Sequence, residues 1–205
     1  MSGRLDRLHD LPHLRFPLDD LDALRELRAG QRLWLDGTIF GIRDATHIAM
    51  FDRGERPARA DLRGGAVVHT APNVRVRADG SFEKLCIGTT TSARMSRFTR
   101  QIMDEYGVRA IIGKAGLAPD ALDALREFGG VYLALVGGSA ALTTREIEAI
   151  EDVEFSELLP ECLWTFSVRS FGPVFVAMDS HGTSLFKVVQ DAARTTLDDK
   201  LARRL

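Results

Sequence analysis

Three short segments each set a cation or hydroxyl beside glycine: Gly37-Thr38-Ile39-Phe40-Gly41-Ile42-Arg43-Asp44-Ala45-Thr46-His47, Ile87-Gly88-Thr89-Thr90-Thr91-Ser92-Ala93-Arg94-Met95 and Ile111-Ile112-Gly113-Lys114-Ala115-Gly116. Glycine lets backbone approach a ligand closely. Arg43, Arg94 and Lys114 could neutralise a small dianion, because its two ends need separated cations and the guanidinium fork binds carboxylate bidentately. Arg94 falls in the first turn of a helix expected from about Ser92, directly after the Gly88 to Ser92 run, where a helix start offers free N–H groups. The three cations are therefore expected to converge on one anion site.

Other chemistries are excluded by spacing. Gly107 and Gly113 stand one residue too far apart for a phosphate loop, and Ala115 replaces the hydroxyl that would hold magnesium. Val136-Gly137-Gly138-Ser139 lacks the three-glycine dinucleotide fingerprint and reads as a structural turn. Cys86 and Cys162 have no ligand-like spacing, so neither a disulfide framework nor a zinc site follows. His9, His13, His69 and His181 lie too far apart to argue as ligands.

The elements that must position these residues come from a chain of 205 residues, the size of one ordinary domain. Residues 1–16 read as an N-terminal extension, loosely ordered or donated to a partner. The domain runs over 17–205. Leucines 21, 24 and 27 with Gly30 behind them predict a short capped helix, and Arg32 to Phe40 a strand that delivers Arg43 to a helix start. A strand at 65–70 and a hairpin turning at Asp79-Gly80 follow. The second half alternates: helix to Tyr106, strand RAIIG, helix PDALDALREF, strand VYLALVGG, helix AALTTREIEAI, then a strand pair around LWTFSVRS and PVFVAMDS and an amphipathic C-terminal helix. Such alternation argues for βαβ units. The fold class is α/β, a single domain with a mixed sheet flanked by helices.

Charge restricts the partners. Lys and Arg total 27 against 29 Asp and Glu, a formal net charge of −2, too little to hold a polyanion or an anionic membrane. Aromatic residues are 7%, which argues against stacking platforms for single strands. No segment approaches the apolar length of a membrane span or a signal peptide, so no nucleic acid, no membrane and a cytoplasmic location are expected. The acidic run from Glu146 to Glu161 reads as a solvated surface.

Taken in order, the motifs resemble the β-subunit, or C-terminal domain, of class I fumarases and L(+)-tartrate dehydratase. That family's Gly-Thr, Arg-Asp-x-x-His, Gly-Pro-Thr-Thr-Ser-x-Arg-Met and Gly-Lys-x-Gly patterns are met by Gly37-Thr38, Arg43-Asp44-Ala45-Thr46-His47, Gly88-Thr89-Thr90-Thr91-Ser92-Ala93-Arg94-Met95 and Gly113-Lys114-Ala115-Gly116. Val136-Gly137-Gly138, Glu161 before Leu163-Trp164 and the strand PVFVAMDSHG agree as well. Thr89 stands where the family has proline, Ala71 where it has glycine, Ile48-Ala49 where it is basic and Thr183 where it usually has asparagine.

The resemblance implies a swivelling β/β/α domain and a hydro-lyase subunit that reversibly dehydrates a hydroxy-dicarboxylate, L-tartrate or malate/fumarate. It implies a 4Fe-4S iron-sulfur cluster held by a cysteine-bearing α-subunit, in a homodimer or α2β2 assembly, with none bound by this chain alone. It places substrate binding on Arg43, Arg94 and Lys114 and the general base on Thr90. Threonine is a poor base at its free pKa and would need neighbouring cations and desolvation. Asp44 and His47 would hold Arg43 and orient the site, with Thr91 and Gly88 in support; His47 is read equally as a satisfied structural histidine. The alternative is a non-catalytic dicarboxylate-binding or homodimeric structural or regulatory domain of the same descent.

Overall fold

The computed structural model describes residues 10–202. Its frame is β2 (Arg32–Ile42), which pairs in parallel with β1 (His13–Phe16) and β3 (Ala66–His69). β6 (Ala110–Gly113) and β7 (Val131–Ala134) continue the parallel run. The last strand, β9 (Leu163–Met178), lies antiparallel to β7 on one side and to β2 on the other. Strands β2, β3, β6, β7 and β9 therefore close into a five-membered ring, with β1 appended to β2 and the edge strand β8 (Ile147–Glu154) paired to β9. A two-stranded hairpin, β4 (Asn73–Val76) with β5 (Phe82–Cys86), turns through Asp79-Gly80 as expected.

Burial follows the period of two that a strand imposes. Leu33, Leu35, Ile39, Ala66, Val68, Ala110, Ile112, Val131, Leu133, Trp164, Phe166, Val174 and Val176 fill the ring interior. Alternate residues such as Val67, Ile111 and Tyr132 face outward into a second buried cluster, with Ile102 and Met103 of α2 (Thr99–Glu105) and Ala124 and Leu125 of α3 (Pro119–Phe128). Both faces of the parallel strands are covered, as such strands require. The remaining helices are α1 (Asp44–His47), which runs into a π turn over Ile48–Asp52, and the C-terminal α4 (Leu185–Ala202), which buries none of its residues.

The expected mixed sheet with helices is present, with corrections in detail. The segment expected to be helical around 140–150 is a 3-10 stretch, Gly138–Arg145, followed by β8. Register shifts between Ile147 and Ala149 and between Ile150 and Asp152 bring Ile147 and Ile150 both into pairing with β9, so an i, i+3 spacing arises in a bulged strand. The expected strand pair is one strand of 16 residues, bent where Ser170 (φ 48°) and Gly172 (φ 142°) take left-handed conformations. Of the helix expected after Pro17, one 3-10 turn forms at Ala23–Glu26, because Leu18 donates its N–H to Gly64 O and Leu27 is already extended. Residues 1–9 of the expected extension lie outside the described residues, and His13–Phe16 joins the sheet as β1.

Candidate active site

Parallel strands end on one side of a sheet, the usual place for a ligand in α/β folds. Here β2 ends at Ile42, β3 at His69, β6 at Gly113 and β7 at Ala134, and every expected site residue follows one of these ends or bridges between them. Arg43 leaves β2 in extended backbone and caps α1, whose first residue is Asp44. Asp44 Oδ2 accepts from Arg43 Nε at 3.3 Å and from Arg94 Nη2 at 2.9 Å, and Oδ1 accepts from Arg94 Nε at 3.3 Å. The hydrogen bonds from Arg94, then its charge and the bond from Arg43, outweigh desolvation and hold the Asp44 carboxyl below the ordinary carboxylate range. One carboxylate thus joins two of the three expected cations.

A second carboxylate completes the group. Glu161, in the lead to β9, accepts from Ala45 N–H through Oε2 at 2.9 Å, and its Oε1 lies 3.2 Å from Arg43 Nε. Its main-chain carbonyl accepts from the Thr46 hydroxyl. Among the described residues nothing accepts from either Nη of Arg43 or from Nη1 of Arg94, so Arg43 keeps its whole Nη end open while Arg94, bidentate on Asp44, keeps only Nη1.

The threonine segment is laid between the ends of β3 and β6. Thr89 bridges Thr70, Thr90 donates its N–H to His69 O at 2.8 Å, Thr91 bridges Lys114, and Ser92 N–H reaches Lys114 O at 3.0 Å. The carbonyl of Gly88 accepts from Thr70 Oγ1 at 2.7 Å. Ser92 crosses over Gly113, where an added Cβ would sit 1.9 Å from Ser92 Oγ, and that hydroxyl accepts from Tyr132 OH at 3.0 Å. Only glycine fits there. The 3-10 stretch Ser92–Phe98 then carries Arg94 back to Asp44. The stem of Lys114 lies against Gly137, where a Cβ would meet its Cδ at 3.2 Å.

Thr91 is extended (φ −67°, ψ 119°) and the helical stretch starts only at Ser92, so Thr90 and Arg94 are not one turn apart on a helix. Thr90 is half-buried beside the backbone of His69, whereas Thr89 is buried with an unpartnered hydroxyl.

Beneath the cations lie two buried histidines. His47 donates from Nδ1 to Arg43 O at 3.0 Å and stacks on Phe98 at 5.0 Å between centroids, with His69 edge-on at 5.6 Å. Burial pulls the His47 pKa down to about 4 and that of His69 well below the usual histidine range, so both are neutral at pH 7. His47 is thus a fixed brace behind Arg43. Of the other basic residues in this region, Arg97 and Arg100 pair with Asp52 and Glu127 on the surface, and Arg109 bonds the carbonyls of Met103 and Val108. The contributions of His69, Tyr132 and the Glu161 side chain were not legible from spacing, since His69 and Tyr132 reach the site from other strands and Glu161 from the lead to β9.

Comparison with known proteins agrees with this architecture. The family described as Fumarase C-terminus matches residues 12–189. The chain is 36% identical over 165 residues to the L(+)-tartrate dehydratase subunit beta of Escherichia coli K12, an alignment covering 80% of this chain and 81% of that one. It is 32% identical over 180 residues to a putative L(+)-tartrate dehydratase subunit beta of Methanocaldococcus jannaschii, covering 86% and 92% of the two chains. To a putative class I fumarate hydratase of Geobacillus stearothermophilus it is 36% identical over 181 residues, 88% of this chain but 34% of that longer protein. With the ordered motifs gathered at one edge of the sheet and the match spanning most of its length, the chain belongs to the fumarase C-terminal, tartrate dehydratase β-subunit family.

Proposed function

We propose that this chain is the β-subunit of a hydro-lyase that reversibly dehydrates a hydroxy-dicarboxylate, L-tartrate or malate, in assembly with a cysteine-bearing α-subunit. The observation that carries the reading is the pair Arg43 and Arg94, both held on Asp44 with the Nη end of Arg43 and Nη1 of Arg94 left without an acceptor, at the strand edge that also presents the threonine segment and Lys114. Dehydration of such a substrate needs two carboxylates held and a proton taken from the carbon beside the leaving hydroxyl. Arg43, Arg94 and Lys114 supply the cations, and Thr90, half-buried beside the backbone of His69, supplies the hydroxyl that moves the proton. Neutral His47 and His69 add no competing charge beneath them.

The residues of this chain do not fit an iron-sulfur cluster. Cys86 is exposed on the hairpin, Cys162 is buried with its thiol pushed up to about 11 by desolvation, and the described residues contain no group of three His, Cys, Asp or Glu side chains able to hold a metal. The cluster is accordingly assigned to the partner. The β-domain would swivel as a unit to close this edge over the substrate. No helix among the described residues is long and apolar enough to cross a membrane.

The test is anaerobic co-assembly with a partner carrying three well-spaced cysteines, followed by turnover of L-tartrate, L-malate and fumarate. Activity in the assembly and none in the lone chain is expected. Turnover by the lone, iron-free chain would refute the two-subunit reading; dicarboxylate binding with no turnover in any assembly would favour the non-catalytic one.

A further inference from the structure

Glu161 is tied to the site far more closely than its position 116 residues from Ala45 suggests. Its own segment is pinned: Trp164 Nε1 donates to Pro160 O at 3.1 Å, Cys162 is buried, and Trp164 pairs with Gly41 at the end of β2. From that fixed base Oε2 takes the Ala45 N–H, the backbone carbonyl takes the Thr46 hydroxyl, and Oε1 faces Arg43 Nε at 3.2 Å. The side chain is only 24% exposed, so its charge is weakly screened.

Asp44 alone would have to serve two arginines, since both Arg43 and Arg94 donate to it. With Glu161 the group holds two cations and two carboxylates; without it Arg43 could bond Asp44 through its Nη end, which would turn that end away from an incoming carboxylate. We propose that Glu161 is the positioning residue for Arg43, and through it a determinant of dicarboxylate affinity. It fixes the Nε edge of the guanidinium against the barrel and leaves the Nη end free for substrate. This rests on the assignment of Arg43 to substrate binding made above.

Glu161→Gln separates this role from simple capping of α1. The amide oxygen still accepts from Ala45 N–H, while the ion pair with Arg43 is lost. In the enzyme assembled with its partner subunit, Glu161→Gln should raise the KM for L-malate or L-tartrate, and the inhibition constant of succinate, about tenfold. kcat should stay within about twofold, and the melting temperature should be little changed. In an Arg43→Ala background the same substitution should add less than about twofold, because the two residues act as one unit. A fall in melting temperature with unchanged KM and succinate inhibition would make Glu161 a structural cap only and overturn the proposal, as would additive effects in the double variant. Were Arg43→Ala itself to leave KM and succinate inhibition unchanged, the assignment of Arg43 to substrate would fail first, and the role of Glu161 with it.

Discussion

Three side chains carry predictions of their own. Thr90 is the proposed proton-transferring hydroxyl. Valine is nearly isosteric, so Thr90→Val should leave succinate binding intact and lower kcat by roughly a hundred- to ten-thousand-fold, the usual worth of a positioned acid or base. Thr91→Val should cost much less. Near-normal turnover and normal solvent exchange of the substrate's carbon-bound hydrogen in Thr90→Val would move the base to the partner subunit. His47 predicts a pH dependence of folding. Its pKa in the folded chain, about 4, lies below the ordinary value of about 6.5, so the unfolded chain binds the proton more readily. The stability it confers is complete above about pH 6.5 and declines as pH falls toward about 4, by up to about 3 kcal/mol. Urea unfolding at pH 7 and pH 5 should show this fall. It should shrink in His47→Phe, whose ring can keep the stack on Phe98; an unchanged slope would contradict the assignment. At this scale the placement of Arg43, Asp44 and Lys114 at strand ends was legible from the glycine-flanked segments that carry them. The tie of Arg43 to Arg94 through Asp44 was not, because spacing says nothing about which residues of different elements meet.

Among the elements, those with complete local signals were read correctly. α3 runs over Pro119–Phe128 as expected, with proline in its first turn and Gly129 in the left-handed conformation at its end (φ 70°). The Asp79-Gly80 hairpin formed because its turn chemistry is local. β8 was misread because bulges let an apolar spacing typical of a helix lie along a strand, and β9 was read as two strands because the bend at Ser170–Gly172 resembles a turn. Tertiary pairing decided both. The threonine segment gives the sharpest test of an element: Gly113→Ala would place a methyl 1.9 Å from Ser92 Oγ, so the segment or β6 must shift. A destabilisation of about 1 to 3 kcal/mol with a more than tenfold loss of kcat/KM is expected. Gly113→Ala with Ser92→Ala should recover part of the stability by removing the clashing hydroxyl.

Taken whole, the described residues form a closed ring of strands with a buried apolar interior, and the proposed site lies at the ends of its parallel strands. Ring closure was not legible, because β2 pairs with β9 across more than a hundred residues and no local pattern announces it. Beyond its first turn the C-terminal helix α4 stands outside this unit: it buries no residue, exposes Val188, Val189, Leu197 and Leu201, and runs past the end of the family match at 189. Cutting the chain after Val189, which keeps Phe186 on Gly116 and Tyr132, should therefore shift the melting temperature of the lone chain by less than about 2 °C. A larger loss would mean that the part of the helix beyond Val189 packs on the ring.

The edge bearing Arg43, Arg94 and Lys114 is proposed to bind the substrate's carboxylates. This is tested most directly by kcat/KM for L-malate and L-tartrate in the partner-assembled enzyme, wild type against Arg94→Ala. Losing one charged hydrogen bond to substrate should lower kcat/KM by roughly ten- to a hundred-fold or more. An unchanged kcat/KM for every substrate that the assembly turns over would contradict the account.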